Sequence, residues 1–126
     1  MENKTFSKAI KAMLFLAFLL GAMKMNAQND DYIQQAKSYQ QEAEYYIAQA
    51  KSHDREVEYY TRQAEEHLND AAYYMQQKKY DQAESYFSRA YEAMDKANSN
   101  AYLAKNARER AMEYMKRAEK ALQDAQ

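Results

Sequence analysis

Apolar positions along the chain fall into three patterns. Between Ala12 and Met23 they form an unbroken run, AMLFLAFLLGAM, preceded by Lys4, Lys8 and Lys11. From Tyr32 they recur at alternating intervals of four and three: Tyr32, Ala36, Tyr39, Ala43, Tyr46, Ala50, His53, Val57, Tyr60, Ala64, His67, Ala71 and Tyr74. A second register opens at Ala83 and places alanine at every seventh residue, at 90, 97, 104, 111, 118 and 125. Four residues after successive alanines stand Phe87, Met94, Ala101, Arg108, Met115 and Leu122. A mean interval of 3.5 is the period of a seam between coiled helices. The first register would continue through 78 and 85, so its phase breaks once, between Lys78 and Ala83.

The first register is also a repeat of fourteen residues: YIQQAKSYQQEAEY from Tyr32, YIAQAKSHDREVEY from Tyr46 and YTRQAEEHLNDAAY from Tyr60. Asn29, Asp30 and Asp31 signal a helix start, and Asp81 followed by Glu84 has the form of a capping box with Asp81 as the cap. These marks predict two helical arms, about 31–77 and 81–125. Each would run about 70 Å at the rise of an α-helix. Equal arms joined by a short loop fold back as an antiparallel hairpin. The expected fold is therefore all-α, a long coiled-coil-like helical hairpin. Polar, cap-capable residues at Asp54 and at Asn98, Ser99 and Asn100 leave an alternative of four shorter helices.

Composition agrees with long helices. There is no Pro, Cys or Trp, and the single Gly is Gly21. From Gln28 onward no glycine supplies the positive φ of a tight turn, which argues against sheets. Residues 28–79 hold ten acidic and six basic side chains. Residues 104–120 hold six basic ones (Lys105, Arg108, Arg110, Lys116, Arg117, Lys120) against three acidic. A reversal near residue 79 would lay the basic end beside the acidic start, Glu42 near Lys116 and Asp54 near Lys105. Such surface charges select orientation more than they stabilise. Alanine on the seam resembles the antiparallel coiled coils with Ala at every seventh position, whose backbones approach closely.

The first 27 residues read as an address. A basic start, about a dozen apolar residues and a small residue before the cut describe a secretory signal peptide. The run is shorter than the roughly 20 residues that span a bilayer. The segment resembles bacterial type I signal peptides, with cleavage between Ala27 and Gln28 expected and Ala22 as an alternative site. Taking away Lys4, Lys8, Lys11, Lys24 and Glu2 leaves 14 basic and 18 acidic residues, a net charge of −4. An acidic chain has no electrostatic reason to seek nucleic acid or anionic membranes. The expected domains are residues 1–27, the signal peptide, and 28–126, a helical hairpin of the periplasm or cell surface without a membrane anchor.

Residues 64–93, AEEHLNDAAYYMQQKKYDQAESYFSRAYEA, resemble one tetratricopeptide repeat. Tyr80, Ala83, Phe87 and Ala90 match the family's second-helix positions. Ala71 matches its first small residue, and Tyr74 an aromatic one. Lys78 stands where the turn glycine belongs, Asp70 replaces a core leucine, His67 replaces an aromatic, and no proline closes the unit. The resemblance implies a packed helix–turn–helix and an interaction role, not a repeat array.

Candidate chemistry is sparse. His53 and His67 lie fourteen residues apart on one helix face, about 21 Å by helical rise, too far to share a metal. They stand where neighbouring units have Tyr and read as seam residues. No nucleophile–base pair, helical di-metal motif or phosphate-cradling loop is legible. No enzymatic activity, cofactor or metal is expected. All 13 tyrosines follow residue 28, with doublets at Tyr45–Tyr46, Tyr59–Tyr60 and Tyr73–Tyr74. The second of each faces the seam, which leaves Tyr45, Tyr59 and Tyr73 on a flank, as candidate interaction residues. The expected function is an exported interaction or scaffolding module of the bacterial envelope, with a protein partner or self-association. The alternatives are a self-assembling rod and a carrier of a small ligand between the helices.

Overall fold

A computed structural model describes Lys11 and residues 29–126. Two long helices, α1 (Asp30–Gln76) and α2 (Tyr80–Ala125), pack against each other as a helical hairpin. The expected signal peptide, with the cleavage residues Ala27 and Gln28, lies outside the described residues except for Lys11. Both helices are continuous: neither Asp54 nor Asn98–Asn100 interrupts the backbone, so the four-helix arrangement is not adopted.

Local chemistry explains where the helices begin. The Asn29 carbonyl accepts the first backbone bond of α1, from the Ile33 amide at 3.0 Å. Asn29 is thus the cap, and Asp30 and Asp31 occupy the first turn, where the positive end of the helix dipole favours carboxylates. In α2 the first bond runs from the Ala83 amide to the Lys79 carbonyl, at 3.0 Å. The cap is therefore Lys79, not Asp81 as the capping-box reading had it. Asp81 sits inside the first turn and acts on the dipole instead.

The reversal between the helices corrects a second expectation. Lys78 adopts φ 57°, the left-handed conformation ordinarily left to glycine. Its amide donates to the Met75 carbonyl at 3.0 Å, and the Lys79 amide donates to the Tyr74 carbonyl at 2.9 Å. This pair of bonds is a Schellman motif, which satisfies carbonyls that the end of α1 would otherwise leave open. A positive-φ residue is thus present after residue 28. It is a lysine, which composition alone does not flag.

Among the described residues, all but two of the buried ones are alanines, the exceptions being Ile33 and Leu122. In α1 the expected seam lies inside throughout except at its first member. Tyr32 is exposed, and the neighbouring Ile33 is fully buried in its place. In α2 the alanines at 83, 90, 97, 104, 111, 118 and 125 are all buried. Their expected partners four residues on are not the inner set, for Met94 and Ala101 are exposed. The inner positions are three residues on: Tyr86, Ala93, Asn100, Ala107, Tyr114 and Ala121, each buried or half-buried. Alanine contact lets the backbones come close, which leaves flat rings or small side chains between the helices and turns bulky aliphatics to the flank.

The chain divides into two compact units. Of the described residues, one unit comprises 29–49 together with Asn106–Gln126, and the other is Ala50–Lys105, which contains the turn. In the first, Ile33, Ala36, Ala43, Ala118, Ala121, Leu122 and Ala125 form a cluster, with Tyr39, Tyr114 and Met115 packed against it.

Candidate functional site: the tyrosine layers and flank

In the unit of the helix ends, Tyr114 of α2 lies between two tyrosines of α1. Tyr39 is tilted against it at 6.2 Å between ring centroids, and Tyr46 is stacked on it at 5.8 Å. The turn-containing unit repeats the device around Tyr86, with His67 tilted at 6.1 Å and Tyr74 stacked at 5.4 Å. The proximity of the Tyr86 hydroxyl raises the pKa of Tyr74 above its ordinary value, with desolvation adding to the effect.

Asn100 stands midway between Tyr86 and Tyr114, fourteen residues from each. Its Nδ2 donates to the Lys96 carbonyl at 3.0 Å, which turns Oδ1 toward His53. Nδ1 of His53 lies 2.9 Å from that oxygen and is accordingly the protonated ring nitrogen. Nδ1 of His67, by contrast, is buried without a hydrogen-bond partner. Both histidines therefore serve as seam residues, and each lies among helix side chains with no second imidazole.

Sequence reasoning missed the α2 series Tyr86, Asn100 and Tyr114. The signal was available, because these residues recur every fourteen and each follows an alanine by three. A ladder of cations was missed as well. Arg89 lies over the Tyr86 ring at 4.8 Å, Lys96 over Tyr60 at 5.5 Å, Arg110 over Tyr46 at 5.8 Å and Arg117 over Tyr114 at 5.1 Å. These cations lie over the faces of the inner rings, an attraction worth about 0.5–1 kcal/mol where exposed. Two ion pairs, Arg62–Glu58 and Arg117–Glu113, run along single helices.

The outer tyrosines are held in defined positions. Tyr45, Tyr59 and Tyr73 are 56%, 50% and 57% exposed. Each meets its doublet partner edge to face, at 5.3, 5.1 and 5.2 Å. Gln49 Nε2 donates to the Tyr45 hydroxyl at 2.7 Å, and Gln63 Nε2 to that of Tyr59 at 2.8 Å. Of the residues that carry the tetratricopeptide likeness, Ala83 and Ala90 are buried, Phe87 is half-buried, and Tyr80 is exposed at the start of α2.

Among the described residues, no group of three or more His, Asp or Glu side chains is placed to hold a metal ion. No described helix is long and apolar enough to cross a membrane. A concavity of the turn-containing unit is lined by five consecutive residues, Lys78, Lys79, Tyr80, Asp81 and Gln82, at the surface of the turn. No family model, curated protein or solved structure matches this chain.

Proposed function

We propose that the chain is an exported protein-interaction or scaffolding module of the bacterial envelope, with no catalytic activity of its own. In this reading a signal peptidase cuts between Ala27 and Gln28, and the hairpin is released without an anchor. The observation that carries the reading is the division of labour among side chains. Alanines fill the interior, while Tyr45, Tyr59 and Tyr73 stay half exposed on α1. Rings fixed against a neighbour, two with their hydroxyls already bonded, lose little conformational entropy on meeting a partner. Tyrosine in that state is a favoured contact residue. The tetratricopeptide likeness of residues 64–93 supports the same role, as a single helix–turn–helix that presents its surface to another protein.

A photo-crosslinking residue at position 59 of the full chain, expressed in its bacterial host, tests the proposal. A discrete crosslinked species is expected, and the added changes Tyr45→Gln and Tyr73→Gln should diminish it. Intact mass of the exported protein should begin at Gln28. Recovery of uncrosslinked monomer alone, or of full-length chain in the inner membrane, would refute the proposal.

A further inference from the structure

The turn-containing unit carries a second surface, distinct from the tyrosine flank. Leu68 and Met75 each follow an inner residue of α1, His67 and Tyr74, by one position. On α2, Phe87 and Met94 bear the same relation to Tyr86 and Ala93, and Tyr80 stands one heptad before Phe87. In an antiparallel pair, positions of one kind on the two helices fall on the same side, because a two-fold axis relates the helices. These five side chains therefore share one side of the unit. Leu68, Met75, Tyr80 and Met94 are 46%, 48%, 62% and 40% exposed, and Phe87 is half-buried. The equivalent positions in the other unit include Ile33, Met115 and Leu122, all drawn into a core cluster.

Along the helices the charges that border this stripe are carboxylates, while Lys78 and Lys79 line the turn beside Tyr80. Glu65 precedes Leu68 by three residues and Glu84 precedes Phe87 by three, so each borders the stripe on its own helix. Both are exposed and neither is in an ion pair, whereas Glu58 is held by Arg62. The unit's cations Arg89 and Lys96 lie on the other flank, over Tyr86 and Tyr60.

From this arrangement we infer that the stripe of Leu68, Met75, Tyr80, Phe87 and Met94 docks an amphipathic helix of a partner protein, one whose apolar face is bordered by Lys or Arg. The inference rests on the interaction reading above and names a surface and a partner chemistry for it. Helices seat in grooves through apolar anchors at intervals of three and four. The two methionines adapt to varied anchors. Unpaired carboxylates at the rim select basic flanks and repel acidic ones. A second copy would bring the same carboxylate-bordered stripe to the contact, which disfavours it as the occupant.

The test uses the full chain and two labelled synthetic helices, one of Leu and Lys in amphipathic order and one with Glu in place of every Lys. Fluorescence anisotropy should show the Leu/Lys helix binding and the Leu/Glu helix not. The pair L68E and M75E, at exposed positions and checked for helicity by circular dichroism, should weaken binding by about tenfold or more. E65K with E84K should weaken it severalfold, and the Tyr45, Tyr59 and Tyr73 to Gln variant should leave it unchanged. Equal binding of both peptides, no binding of the Leu/Lys helix, or no effect of L68E with M75E would each overturn the inference. So would a dimer in sedimentation equilibrium that L68E with M75E dissolves, which would make a second copy the occupant. If the peptide fails while the crosslink at position 59 persists, this surface falls and the interaction reading stands.

Discussion

Ile33 and Leu68 are thirty-five residues apart on α1, five heptads, and so occupy the same position of the helix. Ile33 is fully buried, in a cluster with Leu122, and Met115 packs against that cluster, whereas Leu68 is 46% exposed. The same position of the same helix thus serves as core in one unit and as surface in the other. Heptad pattern alone does not decide burial. Alanine on the seam brings the backbones together, but it covers too little area to enclose a larger flanking side chain without help from neighbours. Where Leu122 and Met115 supply that help the flank closes, and where the flank is Leu68, Met75 and Met94 it stays open.

That contrast predicts a large asymmetry in stability. Ile33→Ala removes the largest fully buried side chain and should cost about 2–4 kcal/mol, whereas Leu68→Ala should cost under about 0.5 kcal/mol. Denaturant unfolding of the two variants checks this. Comparable losses would show that the flank of the turn-containing unit is core after all.

A second asymmetry lies between the inner layers of the two units. The unit of the helix ends fills its inner layer with three tyrosines, and the turn-containing unit interposes the polar pair His53 and Asn100. Asn100→Ala would leave the half-buried Nδ1–H of His53 without its acceptor, and should cost about 1–2 kcal/mol in the same assay. An unchanged midpoint would mean that water replaces the amide at no cost.

Much of the hairpin was legible in the sequence, for reasons that also explain what was not. The single phase break located the reversal because it fell between matched arms and beside helix-start signals; alone, a phase shift can be absorbed by a continuous coiled helix. Seven-residue alanine spacing located the close contact. The inner row of α2 was misread because Met94 and Met115 are more apolar than Asn100, and hydropathy ranks side chains by transfer energy, not by the width of the gap they must fit. The same bias obscured the cation ladder, since Arg89 and Arg117 look like solvent-facing charges until a ring is known to lie beneath them. At the turn, lysine gave no sign of positive φ, a conformation set by the carbonyls it satisfies. The exposure of Tyr45, Tyr59 and Tyr73 was readable from doublet spacing. Their tethering by Gln49 and Gln63 was also implicit in the four-residue interval.

A smaller effect than that of Asn100→Ala is predicted at the turn. A non-glycine residue in the left-handed region carries a cost that glycine escapes, partly offset by glycine's greater freedom in the unfolded chain. Lys78→Gly should therefore raise stability by roughly 0.5–1 kcal/mol, seen as a higher melting temperature with an unchanged helical spectrum. A lower one would mean that the Lys78 side chain makes contacts that outweigh its strain.

The claim on which the rest depends is that the apolar flank of the turn-containing unit is open while that of the other unit is closed. Methionine reports this directly, since Met75 and Met94 lie on the first flank, 48% and 40% exposed, and Met115 packs against the core cluster of the second. Brief exposure of the folded protein to dilute peroxide, followed by peptide mass mapping of sulfoxide, compares the three in one experiment. Met75 and Met94 should oxidise first and Met115 well after them, with helicity retained throughout. Equal rates for all three, or Met115 ahead of the others, would contradict the account.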